Sequence, residues 1–331
     1  MEYRDLGRTG LAVSLLGFGC GNVGGLLIRG TPAERERAVA RAVELGVNYF
    51  DTAPLYGDGR SEEHLGQALR ALRPAVYVGT KVRLAPAELG DVPGAIARSL
   101  EASLRRLGLE RVDLLQLHNA IVAAPGGRGV PVGTVLEAVV PALARLREQG
   151  KLRLLGVTAL GETDAVQRAL AARGLDTAQV CYNLLEPSAG VAVPPGFPAQ
   201  DFAGVLGRAR AHGVGVIVIR ALAAGALSGT LERHPVAVPT VEPIASGPDY
   251  ATDVARARRL DVLVREGHAA SVVEAALRFA AAGEAVSTVL VGCSSLAQLE
   301  AAAAALARGP LPPAALDRVA EAWRGFATRG C

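Results

Sequence analysis

What this chain has little of narrows its class before any motif is read. Cysteine occurs four times in 331 residues, at Cys20, Cys181, Cys293 and Cys331, far apart and with no CxxC pair. That spacing offers neither a zinc cage nor a disulfide framework, and it fits a reducing, cytoplasmic setting. No block of like charges accompanies the net charge of +3, so neither a nucleic-acid stripe nor a membrane-attracted basic face is expected. No apolar run approaches the roughly 18 residues of a membrane span, and the opening MEYRDLGRTG has no apolar signal core. The partner implied is a small molecule.

Also missing is the GxGxxG turn of a dinucleotide-binding doubly wound sheet. Gly17, Gly19 and Gly21 alternate without that spacing, and no acidic residue follows where it should. What is present is abundant core material, with half the residues apolar and a fifth charged. Short β-rich apolar runs alternate with longer amphipathic stretches, the signature of repeated βα units and a parallel sheet. Candidate strands are 13–19, 47–50, 76–81, 112–118, 154–158, 179–184, 215–220 and 287–292. Eight such units predict a closed (β/α)8 TIM barrel, and the whole of 1–331 is expected to be one domain.

Candidate helices lie at 32–45, 61–72, 91–107, 133–149 and 163–173, several opened by Thr, Ser or Asp and closed by Gly. The segment YRDLGRTGLAVSL reads as a β-hairpin capping the barrel bottom, and 313–327 as an extra C-terminal helix. Two stretches, 119–132 and 223–250, are irregular, and long loops of this kind after barrel strands shape substrate pockets.

Catalytic groups of such barrels stand at the C-terminal ends of strands. Asp51 ends the second strand, Tyr56 follows it in DTAPLYGDGRSEEHLG, Lys81 ends the third, and His118 ends the fourth. Singly, each has an ordinary reading: a turn cap, a loop aromatic, a solvated cation, a satisfied core histidine. Together they have one chemical meaning. A phenol is too weak an acid to protonate a carbonyl oxygen near neutral pH unless a cation favours its ionised form. Lys81 can be that cation, Asp51 can hold it charged, and His118 can orient the substrate oxygen. A Schiff-base aldolase using Lys81 as nucleophile is a rival reading, although it gives Tyr56 no role. A barrel that holds cofactor as a redox sensor is another.

On the DTAxxYG…SExxLG block and these four residues, the sequence resembles the aldo-keto reductases, from the hairpin to the last barrel helix. The resemblance implies a catalytic tetrad of Asp51, Tyr56, Lys81 and His118, with Tyr56 as general acid in carbonyl reduction. It implies a nicotinamide cofactor extended across the barrel mouth without a Rossmann fold, NADP first and NAD as the alternative. The cofactor positions it points to are Gly21, Asp51, Thr158, Gln179, Arg220, Leu222, Gly292, Ser294 and Gln298. The family's amide after Thr158 is replaced by Ala159, and the aromatic ring expected against the nicotinamide is replaced by Arg220, whose flat guanidinium can also stack. Gln298 falls where a cation would grip the 2′-phosphate of NADP, and Ala301 and Ala302 where an acid and an amide would meet the adenine. Substrate positions are Leu55, Arg83 and Asn119, a polar mouth suited to a hydroxylated or anionic substrate.

Overall fold

In the computed structural model, which describes residues 1–327, eight parallel strands close on themselves. In chain order the strands are β1 (Tyr3–Asp5), β2 (Ala12–Ser14), β3 (Leu16–Gly19), β4 (Tyr49–Asp51), β5 (Tyr77–Val82) and β6 (Val112–Leu117). They continue with β7 (Ile121–Val122), β8 (Val130–Pro131), β9 (Leu152–Thr158), β10 (Thr177–Cys181), β11 (Gly215–Ile219) and β12 (Val286–Gly292). The barrel runs β3-β4-β5-β6-β9-β10-β11-β12 and closes from β12 back onto β3.

The run expected as one strand over 13–19 is two. Residues up to Ser14 pair antiparallel with β1, with Tyr3 opposite Ser14 and Asp5 opposite Ala12, and the chain enters the barrel only at Leu16. The apolar run is continuous across both, so its periodicity carries no sign of the break. The hairpin plugs the barrel floor, where Leu6, Leu11 and Val13 pack with Tyr49, Leu114, Ile217 and Leu290. Above this apolar floor the interior turns polar.

Helices link the strands on the outside and bury their apolar faces against the barrel's outer surface. Some starts follow the expected chemistry: Thr31 forms a capping box with Glu34, and Asp91, Ser271 and Ser295 each accept an amide three residues on, whereas the helices at Arg60 and Thr163 start from Gly59 and Glu162 with no side-chain cap. The helical stretch 132–148 widens to a π-turn at Val135–Val139, just before Pro141. Proline lacks the N–H that would close the regular turn, and the wider turn makes room for its ring. A final helix, Pro313–Ala327, closes the described chain.

Three connections after strands are long. The stretch 119–132 includes the small β7–β8 ladder, and 223–250 holds only one short 3-10 segment, Ala223–Ser228, before the helix at Tyr250. The third, 182–204, was expected to begin as strand as far as 184. It leaves the sheet at Cys181 because Asn183 folds back, its Oδ1 accepting the amides of Leu185 (2.8 Å) and Glu186 (3.0 Å).

Candidate active site

The C-terminal ends of β4, β5 and β6 bring Asp51, Lys81 and His118 to one mouth, and the turn after β4 adds Tyr56. Lys81 is 1 % and Asp51 3 % exposed, and they form a buried ion pair through Nζ and Oδ1. Nζ also donates to the carbonyl of Thr52 (2.9 Å) and stands 4.8 Å from the centroid of the Tyr56 ring. The Tyr56 and His118 rings meet edge to face, 5.9 Å apart at 86°. The four residues chosen from sequence are one cluster.

Two partners escaped the sequence reading. The second carboxylate oxygen of Asp51 accepts from Gln179 Nε2 (2.7 Å), Tyr49 Oη (3.2 Å) and Gln116 Nε2 (3.4 Å). Tyr49 and Gln116 looked like ordinary strand residues. The signal that could have found them is parity: Tyr49 lies two residues before Asp51 and Gln116 two before His118, on strands whose alternate positions face the interior.

The electrostatics follow from burial. Burial disfavours the charge on Lys81 and is the largest single effect, but the fields of Asp51 and Tyr56 and the hydrogen bonds to both together outweigh it, so Lys81 stays protonated above the ordinary lysine value. Burial also lifts Asp51 above the usual carboxylate value, opposed by Lys81 and by the hydrogen bonds from Lys81, Tyr49 and Gln179. For Tyr56 the expectation needs correcting. Lys81 does pull its phenol downward, but burial is the larger effect and the net direction is up. His118 is pushed down to about 3 by burial and by the nearby charges of Lys81 and Arg83, so it is a neutral imidazole at ordinary pH.

Of the positions assigned to a cofactor, Thr158, Gln179, Arg220, Leu222, Gly292 and Ser294 lie on or just past the adjacent strands β9, β10, β11 and β12. Thr158 is buried and its hydroxyl has no partner among the described residues, which is the kind of group a carboxamide would satisfy. Gln179 commits its Nε2 to Asp51 and keeps Oε1 for another donor. Gly21 lies against Tyr56: a Cβ there would stand 3.5 Å from the ring. Arg220 and Leu222, just past β11, are half-buried at the same rim. This wall fits a flat, amide-bearing ring laid beside Tyr56.

At the far end, Gly292 is exposed and the following loop packs closely on the chain after β3, where a Cβ on Gly24 would come within 2.5 Å of the Cys293 nitrogen. Ser294 gives its hydroxyl to the Gly24 carbonyl (2.6 Å), and its amide is taken by Gln298 Oε1 (2.7 Å). Gln298 thus folds back to cap its own loop and offers a phosphate no charge.

Among the substrate positions, Leu55 and Arg83 are exposed at the mouth. Asn119 is not available there. Its amide bonds both ways to the backbone of Leu84, Oδ1 accepting the amide (2.8 Å) and Nδ2 donating to the carbonyl (2.8 Å), with a further bond to the Arg128 carbonyl (3.2 Å). A side chain that matches both groups of a neighbouring backbone is a structural clamp, so the expected substrate contact is withdrawn.

This arrangement has counterparts. Residues 15–324 match the sequence profile of the aldo/keto reductase family. The chain belongs to that family. It is 30% identical to the L-galactose dehydrogenase of Arabidopsis thaliana over 92% of this chain and 88% of that one. It is 27% identical to the pyridoxal 4-dehydrogenase of Microbacterium luteolum over 90% and 91%. Among solved structures, the holo form of an aldo-keto reductase from Bacillus halodurans superposes with a TM-score of 0.72 at 26% identity, over 97% of this chain and 96% of that one. As an aldo/keto reductase, the chain carries out NAD(P)H-dependent carbonyl oxidoreduction.

Proposed function

We propose that the protein moves hydride between a bound nicotinamide dinucleotide and an aldehyde, ketone or sugar carbonyl, with Tyr56 delivering or accepting the proton. The observation that carries this reading is the buried Lys81–Asp51 pair standing beneath the Tyr56 ring. The cofactor supplies the hydride. Tyr56 then gives its hydroxyl proton to the oxygen that becomes an alkoxide. As the phenol acquires negative charge, the fixed ammonium of Lys81 stabilises it without reorganisation. Asp51 keeps that ammonium charged and in place, itself held by Gln179, Tyr49 and Gln116. Neutral His118 donates to or orients the substrate oxygen.

Thr158 and Gln179 would hold the carboxamide, and Arg220, Leu222 and Gly21 would bound the ring. The loop of Gly292 and Ser294 would receive the phosphates. With Gln298 uncharged and bonded to its own loop, the protein accepts NADP and NAD with modest discrimination. A second reading, an NAD-preferring sugar dehydrogenase, is favoured by the same absence of a cation and by relatives named as L-galactose dehydrogenase and D-threo-aldose 1-dehydrogenase. Among the described residues no helix is long and apolar enough to cross a membrane, and a cytoplasmic location belongs to the same proposal. Fluorescence titration with NADPH and NADH, followed by an aldehyde, ketone and sugar panel, tests it: failure to bind either cofactor rejects the reading.

A further inference from the structure

Arg220 is an anomaly in its surroundings. It stands at the upper end of β11, half-buried, in the wall formed by β9 to β12. Buried cations are normally paired. Among the described residues, however, the one hydrogen bond its guanidinium makes is to the Glu242 carbonyl (3.2 Å), and no carboxylate lies within ion-pair distance. The acid in electrostatic reach, Asp253, is held by Ser246 Oγ (2.5 Å) and flanked by Arg256. The neighbouring Arg233 is fully engaged, donating to Val238 (2.7 Å) and Ala224 (2.9 Å) and lying over the Tyr250 ring. The field of Arg220 extends instead to Cys181 and across the mouth to Tyr56.

The backbone that carries this side chain is held against its own preference. Arg220 has φ +58°, and Ala223 and Ala224 follow at +45° and +58°, a region that residues other than glycine rarely occupy. Strain of this kind persists where the surroundings dictate it. A charge without a carboxylate partner among the described residues is thereby carried on the wall that would hold the nicotinamide.

We infer that Arg220 discriminates between the two redox states of the cofactor, favouring the neutral dihydronicotinamide over the positively charged oxidised ring. The inference rests on the function proposed above. Hydride addition at the ring cancels its positive charge, so a guanidinium on the wall that would hold the ring repels the oxidised form and leaves the reduced form untouched. An aromatic face at the same place would do the opposite, since it attracts a cation. For two unit charges at this range in a partly buried site, the expected preference is on the order of tenfold or more. Because the ring is common to both cofactors, the effect must be the same for NAD and NADP.

The test measures dissociation constants without substrate for NADH, NAD+, NADPH and NADP+, by fluorescence and calorimetry, on the wild type and on Arg220→Gln, Arg220→Lys and Arg220→Tyr. The ratio of oxidised to reduced constants should favour the reduced form in the wild type. It should fall about tenfold in Arg220→Gln, persist in Arg220→Lys and shift toward the oxidised form in Arg220→Tyr, equally in both cofactor pairs. Equal weakening of both redox forms in Arg220→Gln overturns the inference and leaves the proposed function standing. So does an unchanged ratio accompanied by lost binding of a small carboxylate such as oxamate, which would make Arg220 a substrate contact. A wild type that binds no dinucleotide overturns the proposed function itself. Thermal melts identify any variant that fails to fold, and the wild-type ratio stands without them: a preference for the oxidised form overturns the inference directly.

Discussion

Replacing Asp51 by asparagine separates what the buried pair does for the fold from what it does for the reaction. The carboxylate is the acceptor for Lys81, Tyr49, Gln116 and Gln179, all inside a barrel whose floor is sealed by the hairpin. An amide in its place would keep the shape and one acceptor oxygen but leave the Lys81 ammonium buried without a counter-charge. Breaking a buried pair on one side costs about 3–5 kcal/mol, whereas replacing both partners by neutral groups is often close to neutral. Asp51→Asn and Lys81→Met should therefore each lower the unfolding free energy by about 3 kcal/mol, and the double variant should recover at least about 2 kcal/mol of the summed loss. Urea denaturation of the four proteins gives these values. Activity should not follow stability, because the double variant still lacks the cation beneath Tyr56 and stays slow. Additive stability losses, within about 0.5 kcal/mol, would refute the coupling, and a double variant with wild-type turnover would refute the role of Lys81.

The raised phenol of Tyr56 sets a pH signature. Tyr56 keeps its proton until pH exceeds its ordinary range, so carbonyl reduction should be flat from about pH 6 to 9 and alcohol oxidation, which needs the phenolate, should climb through that range. His118, pushed down to about 3, should gate neither direction above about pH 5. An acidic limb near pH 6.5 that vanishes in His118→Ala would contradict this. The chain has two lysines, Lys81 and Lys151, so nitrogen-15 spectra can follow the Lys81 Nζ directly, and it should remain an ammonium beyond pH 10.5. Gln298→Arg should raise the preference for NADPH over NADH by about tenfold through a charge-assisted bond to the 2′-phosphate. A wild type that already rejects NADH by several orders of magnitude would mean another cation grips that group.

Residue types at strand ends and the count of apolar runs make the barrel and its four clustered side chains legible in the sequence. Both depend on local sequence: short apolar strand runs, capped helices, and a turn motif that sets the spacing of Asp51 and Tyr56. What stayed hidden depends on neighbours distant in the chain. Gln116 and Tyr49 become partners of Asp51 only when barrel closure turns their faces inward. Asn119 has the right chemistry for a substrate contact, but the Leu84 backbone reaches it first. Gln298 is a capping residue because Ser295 starts its helix and leaves the Ser294 amide in reach. The net upward direction for Tyr56 is a burial effect that a list of charged neighbours could not anticipate.

The central claim is that the Tyr56 hydroxyl carries the proton, and Tyr56→Phe tests it most directly, since it removes one oxygen and leaves the ring against Gly21 and above Lys81. Steady-state aldehyde reduction, with NAD(P)H affinity measured separately by fluorescence, should show binding within about twofold of wild type and turnover lowered by about 10²–10⁴-fold, the range of a lost general acid. Reduction at the wild-type rate by the Phe variant would contradict the account, because the proton would then come from elsewhere.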